Sequence, residues 1–147
     1  MSRPTNTQFA LAVHALTLLG GAQPGEVLSS EVLAGSIGAS PVHVRRILGL
    51  LREAGLVRSR PGARGGWQLA EPSDPTTLAE VWRAVQGQDQ VLGLHGPNPS
   101  CTVGRRIQAE LVAIDRRAAR AIEEELEATT LSTLVRRTAA GELTRAR

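Results

Sequence analysis

Apolar positions recur at helical spacing through most of the chain. Phe9, Ala12, Val13, Leu16 and Leu19 step along one face of a first helix, with Leu11 and Leu18 on the other. Thr5 or Asn6 is suited to cap its start, and Gly20 with Gly21 to end it. A helix apolar nearly all round needs cover from two sides, so contact with its own domain and with a second subunit is expected. Gln23 to Leu28, holding Pro24 and Gly25, reads as a loop. Ser29 or Ser30 then caps a short helix whose stripe is Val32, Leu33 and Ile37, stopped at Gly38. Ser40 and Pro41 form a stronger start, because serine is a good N-cap and proline at the first helical position gives up an N–H that has no partner anyway. From about Pro41 to Ala54, Val44, Ile47, Leu48 and Leu51 fall at i, i+3, i+4 and i+7. At about 100° per residue the opposite face is Val42, Arg46, Gly49 and Glu53, flanked by His43 and Arg45.

After Gly55 the period changes. Leu56 to Arg60 and Trp67 to Ala70 read as two short strands around the turn-rich tip Pro61, Gly62, Ala63, Arg64, Gly65, Gly66. Two helices joined by a tight turn and followed directly by a hairpin predict a winged helix-turn-helix. Beyond Pro72 and Pro75, Thr76 or Thr77 caps a helix to about Gln86, with Leu78, Val81, Trp82 and Val85 inward; Gln88 to Ser100 is loop. A long helix then runs from Ser100 or Thr102 to about Thr129 along Val103, Ile107, Leu111, Ile114, Ala118 and Ile122. It is longer than so small a domain needs to cover itself, so part of it is expected to pack on a partner subunit through Ile107, Leu111, Ile114 and Ala118. Leu131, Leu134 and Val135 predict a last short helix, with a frayed tail from Gly141. The fold expected is mainly α with a small β-hairpin wing: residues 1–72 winged helix-turn-helix, 73–100 connecting helix and loop, 101–147 dimerisation and C-terminal helices, in one compact domain.

Charge sharpens the picture. The 17 basic residues are all arginine against 14 acids, and seven of those arginines face only three acids up to Gly66, a local +4 beside −1 for the rest. Positive charge concentrated on a helix-turn-helix and its hairpin points to double-stranded DNA. The candidate contacts are Ser40, Pro41, Val42, His43, Arg45 and Arg46 on the second helix, and Arg58, Arg60, Arg64, Gly65 and Gly66 on the wing, where the glycines let backbone approach a surface. The alternative is a winged helix that binds proteins and not DNA. No membrane span is expected, since the longest uncharged stretch is broken by Pro, Gly and His. The first apolar run superficially resembles a signal peptide, but His14 and the single helical stripe favour a core helix.

No enzyme constellation is present: no phosphate-binding glycine loop, no paired histidines at metal spacing, no nucleophile elbow. One cysteine, Cys101, excludes an intrachain disulfide and suits a reducing cytoplasm. The run VRRILGLLREAGLVRSRPGARGGWQLA at Val44 to Ala70, with TLAEVWRAVQG at Thr77 to Gly87 and the long helix, resembles the Rrf-two family of bacterial winged-helix regulators, the group of IscR, NsrR and CymR. The resemblance implies a homodimeric transcription regulator, a repressor, on a palindromic operator. It also exposes a departure. Cluster-binding members have three cysteines leading into the long helix, whereas here Asp89 and His95 precede Cys101 by twelve and six residues, and HGPNPSCTVG is similar to a single-cysteine subgroup. No metal and no cofactor are therefore expected. Cys101 is open to two readings: a redox sensor at a helix start beside Arg105 and Arg106, or a small buried side chain at a subunit contact. His14 is placed at an exposed or interface edge of the first helix, Glu123, Glu124, Glu125 and Glu127 on a solvated face, and Trp67 and Trp82 in the core.

Overall fold

Helix α1 (Thr7–Gly21) runs through the centre of the molecule, with Ala12, Ala15, Leu16 and Leu19 buried and Phe9, Leu11, Val13 and Leu18 half-buried against the same core. The computed structural model describes residues 7–71 and 75–145, so the proposed caps Thr5 and Asn6 lie outside the described residues. One cover for α1 is the chain's own last helix. Gly20 makes that approach possible: a Cβ there would lie 2.8 Å from Val135 Cγ2.

Helix α2 (Ser30–Ile37) starts on Ser29, whose hydroxyl accepts from the Val32 N–H at 3.1 Å, and stops at Gly38 in the left-handed region. It is only two turns long and buries Leu33 and Ala34. Val32 is exposed, contrary to its expected place in the stripe, because one residue before Leu33 is a rotation of about 100° away from the buried side. Helix α3 (Pro41–Glu53) begins as its sequence dictates, with Ser40 accepting from His43 N–H and Pro41 in the first turn. Val44, Ile47, Leu48 and Leu51 are all buried.

Strands β1 (Val57–Arg60) and β2 (Gly66–Leu69) form an antiparallel hairpin pairing Val57 with Leu69 and Arg60 with Gly66. Its inner edge is held by a third segment, since Leu28 and Trp67 exchange both backbone hydrogen bonds, at 3.0 and 2.8 Å. Gly66 is required there, for a Cβ would sit 2.7 Å from the Leu28 carbonyl oxygen. Helices α2 and α3 with this hairpin are a winged helix-turn-helix.

Helix α4 (Leu78–Gln86) opens with a reciprocal capping box between Thr77 and Glu80 and buries Leu78, Val81, Trp82 and Val85. Phe9 meets Trp82 edge to face at 5.4 Å. Helix α5 (Thr102–Glu127) has 26 residues, about 39 Å at 1.5 Å per residue. Helix α6 (Leu131–Arg145) folds back on α1. It is longer than the short helix expected, and Gly141 lies inside it: one glycine costs a helix only about 1 kcal/mol. The α5–α6 corner is stapled to the start of α4, with Leu78 N–H donating to Thr129 O and Leu131 N–H to Thr76 O. The core thus draws Leu16, Leu33, Leu48, Val57 and Val81 from α1, α2, α3, β1 and α4, and α5 lies along its outside.

Candidate nucleic-acid interface

Because α3 turns its apolar stripe inward, Val42, Arg45 and Arg46 are left exposed on the outer face, with Ser40 exposed at its start and Pro41 and His43 half-buried beside them. Val42 is 70% exposed. Arg45 is not a loose cation: its guanidinium meets the Glu31 carboxylate of α2 at 3.2 Å. Arg46 lies with Nη2 at 3.4 Å from His43 Nδ1. Among the described residues, Arg46, Arg58, Arg60 and Arg64 have no ion-pair partner.

The wing separates its arginines. Alternation along β1 puts Arg58 and Arg60 on one side, where with Gln68 and the loop residues Gln23, Pro24 and Glu26 they line a shallow cavity of about 510 Å³. Arg64 stands exposed at the tip. Gly65 and Gly66 were expected to bring backbone close to a bound surface, yet their missing side chains are used within the fold: a Cβ on Gly65 would lie 2.0 Å from the Arg60 carbonyl oxygen. Trp67 faces the other way. Its indole N–H donates to Ser30 Oγ at 3.1 Å, and the Arg52 guanidinium sits over its ring at 5.6 Å. Trp82 is buried in the core, whereas Trp67 is half-buried and joins the wing to both helices. Glu31 and Arg52 escaped the sequence reading, because their partners lie 14 and 15 residues away and nothing in helical periodicity reports a contact between elements.

Away from this face, α5 leaves its apolar stripe open in part: Val103 is 65%, Ile107 48% and Ile114 41% exposed, with Leu111, Ala118 and Ile122 half-buried. Asp115 is buried and accepts the Leu92 N–H at 2.6 Å, fastening the 88–100 loop to the helix. An acid placed between Leu111 and Ala118 in an apolar stripe was its available signal. Cys101 is exposed and caps α5, its Sγ accepting from Gly104 N–H at 3.2 Å. Within one subunit its sulfur is not buried. Arg105 is turned to the Pro99 carbonyl, and His14 is exposed as expected. The acidic cluster is only partly solvated, for Glu123 and Glu127 bind Arg83 of α4 at 3.0 and 3.4 Å, and the hydrogen bond to Glu123 holds the Arg83 guanidinium above its ordinary pKa. No helix among the described residues is long and apolar enough to cross a membrane.

A family model described as "Rrf2: Iron-dependent Transcriptional regulator" matches residues 5–137. A relative from Bacillus subtilis (strain 168), "Putative HTH-type transcriptional regulator YwnA", is 39% identical over 127 residues, 86% of this chain and 92% of that protein. A solved structure described as "a putative DNA binding protein" superposes with a TM-score of 0.64 at 36% identity, covering 86% of this chain and 97% of that one. CymR of B. subtilis, described as the global cysteine regulator, superposes with a TM-score of 0.63 over 92% of this chain and 97% of its own, at 23% identity that speaks for the fold alone. The iron in the family description finds no matching donor set: the chain has one cysteine, its sulfur is used as a helix cap, and the described residues hold no group of three or more His, Cys, Asp or Glu placed to bind a metal ion.

Proposed function

The chain belongs to the Rrf2 family of transcriptional regulators, and from that premise we propose that it acts in the cytoplasm as a homodimeric repressor on a palindromic operator. The observation that carries the reading is the outer face of α3, where Val42, Arg45 and Arg46 have no part in the core and stand next to a wing bearing three more arginines. In this reading residues 1–72 bind DNA, 73–100 connect and 101–147 dimerise. Helix α3 enters a major groove, and its N-terminus at Ser40 and Pro41 with His43 meets backbone phosphate, helped by the positive end of the helix dipole. Arg46 reads a guanine edge through two parallel hydrogen bonds, and Arg45, fixed by Glu31, contacts the neighbouring step or phosphate. Arg58, Arg60, Arg64 and the backbone at Gly65 and Gly66 hold the adjacent minor groove or phosphates.

Each subunit reads one half-site, so two are needed about one helical turn, or a multiple of it, apart. The partly open stripe of α5, through Ile107, Leu111, Ile114 and Ala118, supplies the dimer contact. Repression follows from occupancy of the operator. Redox control is the second element of the reading, supported by the position of exposed Cys101: oxidation would place new polar bulk on the sulfur that caps the dimer helix.

The test is Arg46→Ala against a selected operator and against random duplex at one salt concentration. A loss of about 1–3 kcal/mol on the operator, with little change on random DNA, is expected. Equal losses on both make Arg46 a phosphate contact, and a wild-type protein that shifts no duplex at low salt leaves only the protein-interaction alternative.

A further inference from the structure

Val42, 70% exposed, is the most exposed large apolar side chain among the described residues, and it is absent from the core cluster that they form. It is also among the most firmly placed. The Ser40 cap and Pro41 fix the first turn on which it stands, and a β-branched side chain in a helix has one strongly preferred rotamer. The N-terminal turn of a recognition helix is the part that reaches base edges. In the major groove every base pair offers hydrogen-bonding atoms, which a valine cannot use, and one offers an apolar group, the C5-methyl of thymine.

We propose that Val42 reads the C5-methyl group of one thymine in each half-site. The inference rests on the reading that α3 enters the major groove, and it adds a base identity to it. It also fixes a spacing. Val42 and Arg46 are four residues apart on the same outer face, about 6 Å along the helix axis at 1.5 Å per residue, and base pairs are stacked about 3.4 Å apart. The thymine read by Val42 therefore lies one or two base-pair steps from the guanine read by Arg46. Between them in sequence, Arg45 is paired with Glu31.

Deoxyuridine tests this without disturbing base pairing, because it differs from thymidine only by that methyl. After selection of an operator from random duplexes with the full-length protein, each thymine of the half-sites is replaced by deoxyuridine in turn and the dissociation constant measured. One position per half-site is expected to lose about fourfold in affinity, the worth of one buried methyl group, and the others to change little. Val42→Ser, which folds as the wild type by circular dichroism because the side chain is exposed, is expected to bind the thymidine and deoxyuridine duplexes alike. Site-specific binding that ignores every such replacement overturns the methyl contact while leaving the DNA-binding reading intact. So does a Val42→Ser protein that still discriminates, since another residue then reads the methyl. Failure to select any duplex overturns both.

Discussion

Replacing Ile114 by glutamate is expected to split the dimer and abolish operator binding without unfolding the subunit. The fold tolerates the change because Ile114 already faces outward in part on α5. Covering what Val103, Ile107 and Ile114 leave exposed, on both subunits, yields roughly 5–9 kcal/mol at about 1.5–3 kcal/mol per fully buried side chain. Association itself costs an estimated 4–15 kcal/mol in lost freedom, so these side chains do not hold the dimer by a wide margin. Symmetry counts each substitution twice. Two carboxylates forced into an apolar contact cost several kcal/mol apiece, and even about 3 kcal/mol in total raises the dissociation constant more than a hundredfold. Sedimentation equilibrium at micromolar concentration, with circular dichroism as the check on helix content, measures the first effect, and gel shift the second. A variant that sediments as a dimer with the wild-type constant removes Ile114 from the interface. A monomer that still holds the operator at wild-type affinity refutes the claim that two half-sites must be bound together.

Arg64→Ala is expected to weaken binding to all duplexes and to lower the slope of log affinity against log salt by about one; an unchanged slope means that the wing tip touches no phosphate. Mild peroxide, itself reduced to water as it converts Cys101 to the sulfenic acid, is expected to lower operator affinity, with recovery under a thiol reductant. Cys101→Ser is expected to ignore both treatments, and an equal response from the two proteins makes Cys101 a helix cap and nothing more.

What was legible in the sequence was local. Ser40 before Pro41, Thr76 or Thr77 as the cap of the next long stripe, and Val44, Ile47, Leu48 and Leu51 on one face each report a single element, and the structure has all three, with Thr77 as the cap. The hairpin was readable because its turn residues sit between two short strands. Contacts between elements were not readable. Glu31 lies 14 residues before Arg45 and Leu92 lies 23 before Asp115, and neither pair shares a periodicity. The packing of α6 on α1 was equally hidden: an apolar face states that it must be covered but not by which element, and α6 itself was cut short at a glycine that the helix absorbs. At the candidate interface, the exposed residues of α3 followed from helix geometry, while the turn of Arg58 and Arg60 toward the 22–26 loop depended on how the hairpin docks.

The docking of Trp67 has a mechanical consequence. Its backbone is paired with Leu28, its indole with Ser30 and its ring with Arg52, so the hairpin is pinned at once to the entry of α2 and the end of α3. The hairpin and the two helices are thus tied into one reading head through a single residue. In the proposed dimer, control of DNA binding would then resemble the adjustment of a caliper: an incoming signal would change the gap and angle between two such heads, set where α4 and the 88–100 loop join each of them to its long helix.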